Sequence, residues 1–148
     1  MCSSCQAPCC AGRSRSAGRG KTKDLKEYWQ CLDRADWDRL AAFYHPEAVI
    51  RWHNSDEQLT REEFVRVNRE YPLAWRVRLE RVETAGEMLV SVCHVSSPGS
   101  EAAFRVVSLM RLSGGLVMEN DEYWGDVGTA PEWRREMRVG RPIAGKRD

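Results

Sequence analysis

Residues 43–54, FYHPEAVIRWHN, decide the fold prediction because they join the end of a helical pattern to the start of a strand. The overlapping segment DWDRLAAFY (36–44) carries its apolar residues at helical spacing, and Asp36 stands where a helix N-cap belongs. Pro46 follows, and a proline just past a helical pattern usually marks its end. The segment EAVIRWHN (47–54) then reads as a half-buried strand.

Strand geometry predicts which of these side chains point into the protein. Successive side chains lie on opposite faces of a strand, so Ile50, Trp52 and Asn54 share one face. Arg51 and His53 lie on the other face, and arginine is rarely buried. We therefore predict that Trp52 and Asn54 line the interior and that His53 lies on the outer face of a sheet.

Two further helices are predicted on either side of this segment. Apolar residues recur at helical spacing over 23–33, which predicts a first amphipathic helix there. A third helix is predicted over 61–71, because Thr60 and Glu63 have the spacing of a capping box.

The remaining sequence predicts four strands. A turn at Gly86 and the run Ser113-Gly114-Gly115 predict hairpins between neighbouring strands. Helices followed by a run of strands indicate an α+β fold, with three N-terminal helices packed on a curved antiparallel sheet. The four segments are WRVRLERVE (75–83), EMLVSVCHVSS (87–97), EAAFRVVSLMRL (101–112) and LVMENDEYW (116–124).

The same alternation supplies further candidates for an internal site. In the second of these strands, His94 and Ser96 share a face with two valines, and we expect that face to be the inner one. In the closing strand, Glu122 and Trp124 share the face that begins more apolar. Tyr28, on the first helix, could add a hydroxyl group.

Charge divides the chain into three parts. Residues 1–23 carry five basic side chains and no acidic ones, whereas residues 24–131 carry 12 basic and 19 acidic side chains. An acidic body argues against a nucleic-acid surface. We predict a disordered Cys/Arg-rich extension over 1–22, a folded domain over 23–130, and a basic tail over 131–148.

Cysteine usage and hydropathy bear on metal binding and location. Four cysteines, at positions 2, 5, 9 and 10, could together hold a soft metal ion, although disorder of this extension is the simpler interpretation. No apolar run approaches the ~18 residues that a membrane helix needs, and no signal-peptide pattern follows Met1. We predict a cytoplasmic protein that binds neither a membrane nor nucleic acid.

The order of elements, with FYHPEAVIRWHN after two helices and GGLVMENDEYW (114–124) closing the sheet, resembles the SnoaL-like branch of the nuclear transport factor 2-like superfamily. The resemblance implies an NTF2-like cone, open at one end into a pocket that binds a small molecule, and a homodimer through the convex face of the sheet. Members include ketosteroid isomerases, polyketide cyclases, scytalone dehydratase and limonene epoxide hydrolase, and also non-catalytic binding or interaction modules.

The resemblance also assigns positions within the pocket. Compared with the epoxide hydrolases, Asn54 matches an asparagine that orients water, and Glu122 lies near the aspartate that acts as base. Trp52, His94 and Ser96 stand where that branch has tyrosine, arginine and aspartate, so its catalytic relay is incomplete in this chain.

The residues suggest acid–base chemistry without a cofactor or metal. A carboxylate in an apolar cavity has a raised pKa and can accept a proton near neutrality, and a histidine opposite could act as acid. Glu122 and His94 are therefore the candidate catalytic pair. Alternatively, Trp52 and His94 fill the core, and Glu122 pairs with an arginine such as Arg105 or Arg111.

Overall fold

The computed structural model describes residues 15–143. Four helices are present in this range: α1 (Arg15–Asp33), α2 (Trp37–Ala42), α3 (Arg61–Arg69) and α4 (Glu132–Glu136). The same described range contains six strands: β1 (Tyr44–Trp52), β2 (Glu57–Thr60), β3 (Arg76–Ala85), β4 (Met88–Ser96), β5 (Ala103–Ser113) and β6 (Leu116–Asp126).

The six strands form one sheet in the order β2-β1-β6-β5-β4-β3. The predicted run of neighbouring antiparallel strands from β3 to β6 is confirmed, and the fold is α+β with helices against a curved sheet. One pairing differs from the prediction, because β1 and β6 run parallel. Parallel strands require a long connection, and here the whole segment from β2 to β5 separates the two.

Two boundaries differ from the sequence prediction. Helix α1 begins at Arg15, so residues 15–22, which were assigned to a disordered extension, are helical. Strand β2 was not predicted, because Leu59 is its single buried residue and four residues with one apolar position carry no periodic signal. The predicted cysteine segment and the last part of the basic tail lie outside the described residues, and the division into three parts stays a prediction.

Local signals that the sequence carries are formed in the structure. The Thr60 side chain accepts a hydrogen bond from the Glu63 backbone N–H at 3.2 Å, and the Glu63 carboxylate accepts one from the Thr60 N–H at 3.0 Å. This reciprocal pair is the predicted capping box of α3. Gly114 and Gly115 both have positive φ, as a two-residue hairpin between β5 and β6 requires.

The core lies between the helices and one face of the sheet. Leu25, Tyr28 and Trp29 on α1 and Phe64 on α3 are buried against the strands. Bulges interrupt the β3–β4 and β5–β6 pairings, and bulges increase the local bend and twist of a sheet. Among the described helices, none is long and apolar enough to cross a membrane.

Candidate functional site

A cavity of about 650 Å³ opens between the inner face of the sheet and helices α1 and α3. Its size is within the range of small-molecule sites, which are commonly ~300–1,000 Å³. Aromatic side chains supply much of its wall: Trp29, Trp52, Phe64, Tyr71, Trp75, Phe104 and Trp124. The inner face of the cone is therefore partly empty and strongly aromatic.

Glu122 is a carboxylate within this apolar wall. It lines the cavity on β6, and only 5% of its surface is exposed. The Trp52 indole donates a hydrogen bond from Nε1 to Glu122 Oε1 at 3.1 Å. The Ser108 hydroxyl donates to Glu122 Oε2 at 2.7 Å. Both neighbours come from strands paired with β6, so the sheet itself positions the carboxyl group.

Burial raises the pKa of Glu122 above its ordinary value, and the hydrogen bonds from Ser108 and Trp52 lower that pKa in part. Desolvation disfavours the charged form, whereas donors to the carboxylate favour it. A carboxyl group with a raised pKa holds its proton closer to neutral pH than an exposed glutamate does. Such a group can both accept and return a proton.

An arginine partner for Glu122, the alternative left open by the sequence, is not found among the described side chains of residues 24–143. Arg105 Nε lies 2.7 Å from Glu80 Oε1, and Arg111 Nε lies 3.9 Å from Glu119 Oε2. Both arginines alternate with inward-facing neighbours and so lie on the outer face of β5. The raised pKa of Glu122 agrees with this, since no described cationic side chain acts on the carboxyl group.

Trp52 and Trp124 line the cavity as predicted. Their ring centroids lie 5.8 Å apart at an angle of 83°, which is an edge-to-face arrangement. The ring centroids of Trp52 and Phe64 of α3 lie 6.0 Å apart. The position of the Trp52 indole is therefore held by ring contacts on two sides and by its hydrogen bond to Glu122.

Asn54 does not point into the cavity, in contrast to the prediction. It lies in the exposed turn after β1, where its side-chain amide donates to the backbone carbonyl of Trp124. Its carbonyl Oδ1 accepts from the Trp124 backbone N–H at 2.8 Å. The strand ends at Trp52, so strand alternation no longer applies at this position. Asn54 therefore holds the end of β6 and positions Trp124.

His94 and Ser96 lie on the opposite face of the sheet from Glu122, which corrects their predicted placement. In β4 the buried positions are Leu89, Ser91, Cys93 and Val95, and the intervening residues face outward. His94 is paired with Arg78 and Arg105 of the neighbouring strands. Because the sheet itself lies between the two side chains, His94 cannot act with Glu122 as an acid–base pair.

Tyr28 is buried behind the wall of the cavity and does not line it. Its hydroxyl lies 2.6 Å from the Tyr44 hydroxyl, which accepts a hydrogen bond from Asn120 Nδ2 at 2.9 Å. Burial raises the pKa of both tyrosines, so both hydroxyls remain protonated. Tyr28 thus belongs to an internal hydrogen-bond network of the core.

Ser108, Trp75 and Phe104 were missed by the sequence prediction. On β5, Arg105 and Arg111 share one face and Ser108 lies on the other. Because arginine is rarely buried, the face without arginine is expected to point inward. The same argument predicted the inward direction of Trp52, and it would also have identified Ser108. Trp75 and Phe104 pack edge to face at 5.3 Å on the far side of the cavity. Both occur at strand ends, where alternation is short.

A six-stranded sheet with helices over one face and a cavity between them is the architecture of nuclear transport factor 2-like proteins. Residues 25–120 match the SnoaL-like domain family. The chain therefore belongs to the SnoaL-like domain family. None of the curated proteins matches this chain.

Solved structures share the fold at low sequence identity. A proposed ketosteroid isomerase from Kribbella flavida has a TM-score of 0.69 and 21% identity, over 82% of this chain and 88% of that one. An NTF2-like protein of unknown function from Burkholderia xenovorans has a TM-score of 0.67 and 23% identity, over 81% and 93%. AclR, a proposed hydroxylase from Streptomyces galilaeus, has a TM-score of 0.66 and 11% identity, over 80% and 93%.

Proposed function

We propose that this protein binds a small apolar or aromatic molecule in the cavity and that Glu122 moves a proton on that molecule. The observation that carries the proposal is a buried carboxyl group within an aromatic wall. The described part of the chain places no cationic side chain in that wall. Trp52 and Trp124 supply apolar surface for contact with the ligand, and Ser108 on β5 orients the carboxyl group through its hydrogen bond.

Glu122 is the one buried carboxyl group in the described part of the chain, which favours isomerisation among the acid–base reactions expected of this family. Glu122 would remove a proton from a carbon that lies between a carbonyl group and a carbon–carbon double bond, and the electron pair of the broken C–H bond would move towards the carbonyl oxygen. The protonated Glu122 would then return the proton to the far carbon of that double bond, so that the carbonyl re-forms and the double bond moves next to it. One group completes this cycle, whereas a dehydratase needs a further acid for the departing hydroxyl, and His94 is not available for that role.

Hydrogen–deuterium exchange tests proton abstraction without knowledge of the natural substrate. A panel of enolisable aromatic ketones is incubated with the protein in D₂O, and loss of the C–H signal is followed by NMR. We expect exchange with the wild type and none with Glu122→Gln, which keeps the shape but cannot accept the proton. Glu87→Gln is the matched control, because Glu87 is exposed in the turn before β4.

A non-catalytic binding or interaction module is the second candidate. The observation that favours it is that both oxygens of Glu122 already accept hydrogen bonds, from Trp52 and Ser108. A carboxyl group with such partners can serve as a structural anchor. Ketones that bind in the cavity yet exchange equally in the presence of wild type and Glu122→Gln would establish this alternative and end the enzyme proposal.

We also propose that the protein is a homodimer through the outer face of the sheet. Val90 pairs with Leu109 and Val92 pairs with Val107, so these four side chains form one apolar patch on that face. All four are partly exposed in the single chain. A second copy would cover the patch and remove this surface from water. The cytoplasmic location stays a prediction from the sequence.

A further inference from the structure

The charged side chains that line the cavity are all acidic, whereas the outer face of the sheet carries acids paired with arginines. The residues that line the cavity include four carboxyl groups, those of Glu57, Glu101, Glu122 and Asp126. Among the side chains that the structure describes, those of residues 24–143, no lysine, arginine or histidine joins them in that lining. The arginines of β5, in contrast, lie on the outer face. The described lining of the cavity thus offers a ligand negative charge and no positive charge.

Three of these carboxyl groups stand at the open end of the cavity. Glu57, Glu101 and Asp126 are exposed, and they come from three different parts of the chain. Within the described ranges, none of them forms an ion pair or a side-chain hydrogen bond, although many exposed acids elsewhere on the fold do. Their charge is therefore left for a ligand or for solvent.

A metal ion is a poor fit for these carboxyl groups. No three histidine, cysteine, aspartate or glutamate side chains in the described part of the chain come close enough to hold one ion. An organic ammonium group needs no such set of ligands, because separated carboxylates attract it through space without coordinating it. The spacing of the acids around an apolar cavity points to such a ligand.

The aromatic wall provides a second and independent feature that suits a cation. Trp52 and Trp124 meet at 83°, and Trp75 and Phe104 meet at 85°, so each pair forms a corner of two nearly perpendicular rings. Aromatic faces attract ammonium groups through the ring quadrupole, and tryptophan does so most strongly. At the first corner, the buried carboxyl group of Glu122 adjoins Trp52.

We propose that the ligand of the cavity is a small organic cation, in which a protonated amine or quaternary ammonium group is attached to an apolar or aromatic body. The ammonium group lies against one of the aromatic corners within the field of the carboxylates, and the apolar body extends across the cavity towards the other corner. This inference rests on the proposed binding role of the cavity and names its ligand class. It excludes carboxylate-bearing and phosphate-bearing ligands.

Three probes of similar shape test the charge preference. Benzyltrimethylammonium is the cation, neopentylbenzene is its neutral carbon isostere, and phenylmethanesulfonate is the anion. Binding is followed by the indole N–H signals in ¹H–¹⁵N NMR. Trp29, Trp52, Trp75 and Trp124 line the cavity and report on it, whereas Trp133, which is 63% exposed, serves as an internal control.

We expect the cation to bind at least about tenfold more tightly than its neutral isostere, and the anion not to shift the cavity indoles. The variant Glu57→Gln/Glu101→Gln/Asp126→Asn should weaken binding of the cation several-fold and leave the neutral probe unaffected. A charge-matched control, Asp38→Asn/Glu47→Gln/Glu87→Gln, removes three exposed acids that do not line the cavity and should leave both probes unaffected.

The outcomes separate the two proposals. Equal or tighter binding of the neutral probe, with shifts at the cavity indoles, would overturn the cation preference while the cavity remained a binding site. Equal weakening by the two triple variants would attribute the preference to overall charge and would also overturn it. If no probe shifts a cavity indole at millimolar concentration, the binding role of the cavity and its ligand class fail together.

Discussion

Trp52 and Glu122 lie side by side on the parallel strands β1 and β6, and the indole Nε1 of Trp52 donates to Glu122 Oε1 at 3.1 Å. This contact joins the aromatic wall of the cavity to its buried carboxyl group. Burial raises the pKa of Glu122, and the hydrogen bonds from Ser108 and Trp52 each lower that pKa in part, because donors favour the charged carboxylate. Trp52 therefore has two roles: it packs in the aromatic wall, and it affects the pKa of the Glu122 carboxyl group.

The variant Trp52→Phe should raise the pKa of Glu122 further. Phenylalanine keeps an aromatic ring against Phe64 but has no N–H to donate, so the charged form of the carboxyl group loses one of its two donors. The measurement is a pH titration of the ¹³C-labelled glutamate carboxyl signals. Trp75→Phe is the control, because Trp75 lines the same cavity without contacting Glu122. A titration midpoint that does not move in Trp52→Phe would contradict the contact.

The stability of the protein should depend on pH through Glu122. Burial raises the folded-state pKa above the ordinary 4.5, so the folded protein binds this proton more tightly than the unfolded chain does. The stabilising contribution is complete below pH 4.5 and is lost as the pH rises through the folded-state pKa.

Glu122→Gln has no such proton and isolates this effect. We expect the free energy of unfolding of the wild type, relative to that of Glu122→Gln, to fall as the pH rises from 4.5 to 8. Urea denaturation at several pH values gives both free energies. A difference between the two proteins that stays constant across that range would show that Glu122 titrates like an exposed carboxyl group.

In the hydroxyl network behind the cavity, loss of the Tyr44 hydroxyl should destabilise the protein more than loss of the Tyr28 hydroxyl. Tyr44→Phe removes the partner of both Tyr28 and Asn120, and leaving buried polar groups unpaired costs ~1–3 kcal/mol. Tyr28→Phe leaves Tyr44 paired with Asn120 and should cost less, about 1 kcal/mol. Chemical denaturation of the single and double variants measures both costs and their coupling. Equal, additive costs would rule out the shared network.

The outer-face patch predicts the oligomeric state. Val107→Lys places a charge in the centre of the apolar patch and should convert a micromolar dimer into a monomer without loss of the fold. Sedimentation equilibrium measures the mass, and circular dichroism checks the fold. Val139→Lys is the matched control, because Val139 is exposed in the C-terminal segment. A wild type that stays monomeric at the highest micromolar concentrations would remove the dimer.

Features that depend on neighbouring residues were predictable from the sequence. The capping box of Thr60 and Glu63 and the hairpin at Gly114 and Gly115 each use backbone groups a few residues apart. The inward direction of Trp52 was predictable for a similar reason, since Arg51 beside it is rarely buried and so identified the outer face. The α+β order and the inward direction of Glu122 followed from these local patterns.

Only the tertiary structure decided the placement of His94. Strand β4 carries apolar residues on both faces, Leu89 and Val95 on one and Val90 and Val92 on the other, so alternation alone could not choose between them. In the structure, α1 packs against the face that carries Leu89 and Val95. The Trp29 indole of α1 donates a hydrogen bond to the Ser91 hydroxyl on this face at 3.0 Å. The direction of a strand with two apolar faces is set by what packs against it, and the sequence of the strand itself does not contain that information.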